Sequence, residues 1–399
     1  MLRRSYRHFG SAMTEAMAPQ RIFLDVDSDD ANDLAKIKWR RRYPWGPAYR
    51  VSRGMLEEYS TKARERLEAL VAEAMRGNVR QTGGILKELA EAGNRLYRAL
   101  FHDPEGSGRA AKARDHLKNL EGENQILVSM GFPLHIPWGL VYDGDPKQLS
   151  GDPNDTDFDH YRDFWSIKYR VAVVYSTVDG EGADKPLPRD VIVHSVVNQS
   201  VLARTAPHLT QSGPPSWEWI VKQFGPPMYS QKGWLARWMT EYDKVGILYF
   251  YSHADGNTIG LGVDSISAND LAQDLADQGK DTALPCLVFL NGCSTAVGHP
   301  DGGFLEATAG SRFCGFIGAE ASIPDVFALR FGSAFLYEFL RSQNTLLEVM
   351  STLRKQHWPL SLLYNLYCVP DLKILSAFGS SPPLSADNFC DFDLGTQGI

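Results

Sequence analysis

The chain has 399 residues, 43% of them hydrophobic, which is enough for one large core or two ordinary ones without a disulfide or metal to hold it together. Its 41 Lys and Arg against 48 Asp and Glu give a formal net charge of −7. That balance disfavours an extended contact with phosphate backbones, so nucleic acid is excluded as a direct ligand. No run approaches the roughly 20 apolar residues of a membrane-crossing helix, so no membrane association and a cytoplasmic location are expected.

Residues 1–19 open with "MLRRSYRHFGSAM", basic and free of acids, and read as a disordered leader, with a transit peptide as the alternative. A first half, 20–165, begins with a short strand at 20–26, "QRIFLDV", ended by the polar cluster "DSDDAND". Two helices follow, at about 54–76 and 83–101. The second carries Leu86, Leu89, Leu96, Leu100 and Phe101 along one stripe, so the two read as a helical pair facing a common core. An apolar run at 125–145 is broken by prolines into strand, turn and short second segment, and 144–162 is a surface loop.

The second half, 166–376, alternates helical spans with β-rich runs at 169–175, 190–197, 245–251, 284–290 and 314–319. Nearly continuous apolar strands of this kind require a mostly parallel sheet covered on both faces, an α/β sandwich of three layers. In "SANDLAQDLADQG", Ser267 and Asp270 stand near capping-box spacing, with Leu271 and Leu275 four apart. Phe327, Phe331, Phe335 and Phe339 repeat every four residues behind Asp325, a candidate N-cap, and form a stripe that must lie on the sheet. The tail, 377–399, lacks periodicity.

The five cysteines, Cys286, Cys293, Cys314, Cys368 and Cys390, make no C-x-x-C step, so neither a metal site nor a cofactor is expected and a reducing compartment fits. Cys286 and Cys314 lie inside apolar strands and read as packing. Cys293 lies just past a strand end in "LVFLNGCSTA", as His253 lies just past the end of "LYFYSHADGN". Ends of neighbouring strands in an open α/β sheet share the edge where ligands bind. An imidazole there can take the proton of a thiol whose ordinary pKa is about 8.5, which is the arrangement of a nucleophile and its base. Backbone N–H groups of Ala254, Gly292 and Cys293 are candidate oxyanion donors.

Six stretches in order, "GNRLYRALF", "PLHIPWGLVYD", "YFYSHADG", "LVFLNGCSTA", "CGFIGAEASIPDVFALRFGSAFLYEFL" and "YNLYCVPDLKI", resemble the CHAT domain, a branch of the caspase-like cysteine peptidases that also includes separases. The resemblance spans about 20–376 and implies His253 as base and Cys293 as nucleophile. It also implies a caspase-like sandwich in which the first half is a degenerate companion unit lacking the dyad, and a latent endopeptidase of defence or cell death. Ala254 and Gly139 stand where the family usually has Gly and Glu. The first substitution narrows the site, and the second touches packing between the halves.

Substrate-pocket walls are expected in "GAEASIPD". Glu320 there either faces a basic P1 side chain or is a solvated loop acid. Asp325 either contacts substrate or caps its helix, and Asp255 either orients His253 or belongs to an Asp-Gly turn. The caspase motif Q-A-C-[RQG]-G is absent, so aspartate specificity is not implied. A protein substrate and an activating or regulatory protein are the expected partners. The alternative function is a pseudopeptidase that binds a polypeptide without cutting it; no G-x-S-x-G or P-loop motif supports an unrelated hydrolase or nucleotide enzyme.

Overall fold

The structure, a computed structural model, describes residues 20–29, 33–40, 47–120, 124–130, 134–175, 187, 191–208, 221, 225–241, 243–276, 285–298, 303–308, 313–368 and 371–374. The leader 1–19, the tail 377–399 and with it Cys390 lie outside the described residues, as does the side chain of Leu275.

Chain order gives β1 (Gln20–Asp29), β2 (Leu34–Arg40), β3 (Tyr49–Ser52), α1 (Arg53–Met75), α2 (Gly83–Leu100), α3 (Arg109–Lys118), β4 (Asn124–Met130), α4 (Trp165–Lys168) and β5 (Ala172–Tyr175). These strands form one sheet in the order β3-β2-β1-β4-β5. The β1–β4 and β4–β5 pairs are parallel, and β1–β2–β3 is an antiparallel meander.

The remainder is β6 (Ile192–Val197), α5 (Gln199–Thr205), α6 (Gln231–Glu241), β7 (Val245–Tyr251), β8 (His253–Ala254), β9 (Thr258–Gly260), β10 (Ser265–Ser267), α7 (Ala268–Ala276), β11 (Cys286–Asn291), α8 (Phe304–Thr308), β12 (Phe313–Ala319), α9 (Asp325–Arg341), α10 (Leu346–Gln356) and β13 (Tyr364–Cys368). The second sheet runs β13-β12-β11-β7-β6, parallel except for β13, while β8, β9 and β10 make a small antiparallel sheet of their own. β5 and β13 lie alongside each other, so the two five-stranded sheets meet edge to edge.

Alternation along the strands assigns the layers, because successive side chains point to opposite faces. Ile247, Tyr249 and Tyr251 of β7 and Phe289 of β11 pack with α9 and α10, whereas Leu248, Phe250, Val288 and Leu290 pack with Trp234 and Trp238 of α6. The four-residue phenylalanine stripe of α9 is wholly buried. Phe335 meets Phe289 edge-on at 5.2 Å, and Phe331 stacks on Tyr364 of β13 at 4.1 Å. Each such ring contributes about 1.5–3 kcal/mol by leaving water.

Three expectations change. The run 169–175, expected in the second half, pairs as β5 with β4 and so closes the first sheet. An apolar strand signals burial without saying which neighbour it takes. The strand at 20–26 extends to Asp29, into the polar cluster expected to end it, and β2 pairs with its residues Phe23 to Asp29. Asp325 is the first residue of α9, with Pro324 at the N-cap; its carboxylate pairs with Arg204 near the positive end of the helix. The Ser267–Asp270 box is formed, with Asp270 N–H donating to Ser267 Oγ at 3.1 Å and Ser267 N–H to Asp270 Oδ2 at 3.2 Å.

Candidate active site

β7 and β11 are adjacent and parallel, and their last paired residues are Tyr251 and Asn291. His253 and Cys293 each stand two residues beyond that rung, on one edge of the second sheet. Asn291 is buried and fixes the strand end: its side-chain N–H groups donate to Tyr249 Oη at 3.0 Å and Ala328 O at 2.7 Å, and it accepts from Tyr364 Oη–H at 2.6 Å. Thr295 closes the turn, its hydroxyl donating to Leu290 O at 3.0 Å and accepting from Ala319 N–H at 3.0 Å. Between them Ser294 adopts φ +54°, a left-handed conformation uncommon for a residue with a side chain and frequent at functional sites. These bonds give Asn291 and Thr295 their places at the two ends of the turn.

Gly292 is required by close approach. A Cβ at this position would lie 2.7 Å from Ser252 O and 2.9 Å from Ala254 Cβ, and one on Gly256 would lie 3.4 Å from Ser294 O. The segment 252–256 thus rests directly on 292–294, with Ala254 against Gly292. His253 is exposed and Cys293 half-buried.

No hydrogen bond joins imidazole and sulfur among the described residues. The sulfur instead engages the loop after β12: Ile323 N–H donates to Sγ at 3.3 Å, and the thiol donates to Ile323 O at 3.9 Å. Burial pushes the Cys293 thiol up, the Ile323 N–H offsets part of the rise, and the Asp325 and Glu68 carboxylates add to it.

The remaining candidates have other partners. Asp255 accepts N–H bonds from Asn257 at 3.2 Å and Thr258 at 2.8 Å, the turn role, with no bond to His253. Glu320 is neither a solvated loop acid nor, in this conformation, open to a substrate. Its side chain is 0% exposed and pairs with Arg64 of α1 at 2.8 Å. Asn365 and Tyr367 of β13 donate to its other oxygen at 2.6 and 2.8 Å. Gly139 makes room for this cluster, since a Cβ there would meet Asn365 Oδ1 at 2.3 Å. Asp325 is held by Arg204, and its carbonyl accepts from Tyr251 Oη–H at 3.0 Å. Of the other cysteines described, Cys286, Cys314 and Cys368 are buried. Among the described residues no three His, Cys, Asp or Glu side chains form a metal-binding group.

Sequence reasoning missed Arg64 and Glu68, whereas Ser322 and Ile323 lie in the stretch expected to wall the substrate pocket. On α1 Arg64 and Glu68 stand four residues apart with opposite charge, a spacing common on any solvated helix face. Only the tertiary contact with the loop reveals their use.

Among solved structures, two of the Saccharomyces cerevisiae separase–securin complex are similar to this chain, with TM-scores of 0.50 and 0.51 at 9% and 10% identity. They align over 90% and 89% of this chain but only 30% of the separase chain. The fold is caspase-like. The Arg-specific cysteine proteinase gingipain R aligns over 68% of this chain and 69% of its own at 10% identity, with a TM-score of 0.39. No family model and no curated protein matches the sequence. Among the described residues no helix is long and apolar enough to cross a membrane.

Proposed function

We propose that the chain is a cysteine endopeptidase of the CHAT type that cuts a protein substrate with Cys293 as nucleophile and His253 as base, latent until activated and associated with defence or cell death. The observation that carries this reading is the common rung: Tyr251 and Asn291 are paired, and both reactive groups follow it by two residues with Gly292 packed against Ala254.

In the reaction, His253 takes the Sγ proton and the thiolate attacks the scissile carbonyl. The N–H groups of Gly292, Cys293 and Ala254 are the candidate donors to the oxyanion. Collapse of that intermediate breaks the C–N bond, and His253 returns its proton to the leaving amine. Water, deprotonated by His253, then releases the acid and restores the thiol. Base assistance of this kind is worth about 10²- to 10⁴-fold. The separases of similar fold are bound to securin, which favours a protein regulator here as well.

The engagement of Sγ by Ile323 favours a second reading, a silent pseudopeptidase that binds a polypeptide. Incubation with a peptide library digested from a whole proteome, followed by mapping of new termini, separates the two. Cleavage by wild type that is absent in Cys293→Ala and His253→Ala supports the enzyme. Equal cleavage by all three removes the dyad, and no cleavage together with peptide retention favours the binding module.

A further inference from the structure

The loop that touches Cys293 is gripped from the other half of the molecule. Arg64 and Glu68 lie one turn apart on α1 and so share a face. They hold alternate residues of the segment after β12, Arg64 binding the buried carboxylate of Glu320 and Glu68 accepting both Ser322 N–H at 2.7 Å and Ser322 Oγ–H at 3.0 Å. Arg64 also donates to His135 O at 2.7 Å, which anchors the helix to the segment leading into Trp138. The gripped segment is tied to the nucleophile turn by Ser294 N–H to Ala321 O at 3.0 Å and Ala296 N–H to Ala319 O at 2.8 Å. The residue after Ser322 is Ile323, whose N–H rests on Sγ.

We propose that Glu68 is a positioning residue for Cys293: by holding Ser322 it sets Ile323 against Sγ, so that a helix of the companion half keeps the sulfur engaged by the loop and away from His253. This rests on the peptidase reading for its purpose, but the contact itself is testable without any substrate. Release of the Glu68–Ser322 bonds frees the loop, and with it the sulfur. The titratable groups that act on that sulfur are Glu68 from α1, Asp325 from the start of α9 and Tyr364 from β13, and His253 follows the end of the neighbouring strand. Two effects of Glu68 therefore have to be separated, its charge and its grip. Glu68→Gln removes the first and keeps an acceptor oxygen for Ser322, whereas Glu68→Ala removes both.

The test is the rate of iodoacetamide alkylation at Cys293 in the native full chain, resolved by peptide mass mapping and followed across pH. The midpoint of the profile reports ionisation, and the plateau at high pH reports access to the thiolate. For Glu68→Gln we expect a lower midpoint, about two- to fivefold faster reaction at pH 7, and the wild-type plateau. For Glu68→Ala the plateau itself rises, about tenfold, while Cys286, Cys314 and Cys368 stay unmodified. If those three become modified, Glu68→Ala has unfolded, and Ser322→Ala decides in its place with an expected plateau rise of about two- to threefold. A plateau unchanged in the deciding variant overturns the proposal, as does the same plateau rise in Glu68→Gln and Glu68→Ala. Failure to find peptide cleavage leaves this outcome untouched, because the assay reads the sulfur directly.

Discussion

Gly292→Ala is a direct probe of how closely the two reactive segments are packed. The added Cβ would stand 2.7 Å from Ser252 O and 2.9 Å from Ala254 Cβ, both in the segment that presents His253. Ordinary contact begins near 3.4 Å, so the segment has to retreat by about 0.7 Å. Gly292 does not have a positive φ, so crowding is the whole effect. Overpacking of this kind costs about 1–3 kcal/mol, which for a chain of this length lowers Tm by about 1–4 °C. The cost to catalysis is larger, since a displacement near 1 Å between reacting groups removes about 10²-fold. A peptide substrate identified from the termini screen, assayed together with a thermal melt, should give a kcat/KM loss of about 10- to 100-fold for this small loss in Tm. Unchanged kcat/KM would mean that the packing of 252–254 on Gly292 does not set the spacing of His253 and Cys293.

Glu320→Ala leaves the Arg64 charge unpaired at 14% side-chain exposure and strips Asn365 and Tyr367 of their acceptor, so urea unfolding should show a loss of about 3–5 kcal/mol. A loss below about 1 kcal/mol would refute a structural role for the pair. His357, 5% exposed between the rings of Phe327 and Phe331, is held down by burial to a pKa of about 4. Because the unfolded chain binds the proton more readily, this group weakens the fold as pH falls from about 6.5 toward 4, by about 2 kcal/mol at pH 5. His357→Leu should flatten that part of the stability profile in urea titrations at pH 7.5 and 5; an unaltered slope would contradict the burial argument.

The sequence made the second sheet legible because its strands β7, β11 and β12 are buried on both faces and write uninterrupted apolar runs. The phenylalanine stripe of α9 and the box at Ser267 were equally readable, being local patterns. The meander β2–β3 was missed although Ile37 and Trp39 alternate with Lys36, Lys38 and Arg40, because charged residues on the open face mask a half-buried strand. The placement of 169–175 was misread since partner choice is tertiary. At the site, the Asn-Gly-Cys turn and the histidine at the strand end could be singled out by their polar surroundings. The fate of Glu320 could not, because its partner Arg64 is 256 residues away and nothing local distinguishes a buried acid from a solvated one. A separation of 254 residues likewise hid the contact of Glu68 with the loop that carries Ile323.

Peptide cleavage here requires one sulfur and one imidazole to act together. The most direct measurement of that cooperation is the rate at which a panel of peptidyl acyloxymethyl ketones modifies Cys293, by mapped mass, in wild type and in His253→Ala with matched melting curves. A working dyad gives selective labelling of Cys293 that falls at least about tenfold when the imidazole is removed. Equal rates in the two proteins, or labelling that prefers Cys286, would contradict it.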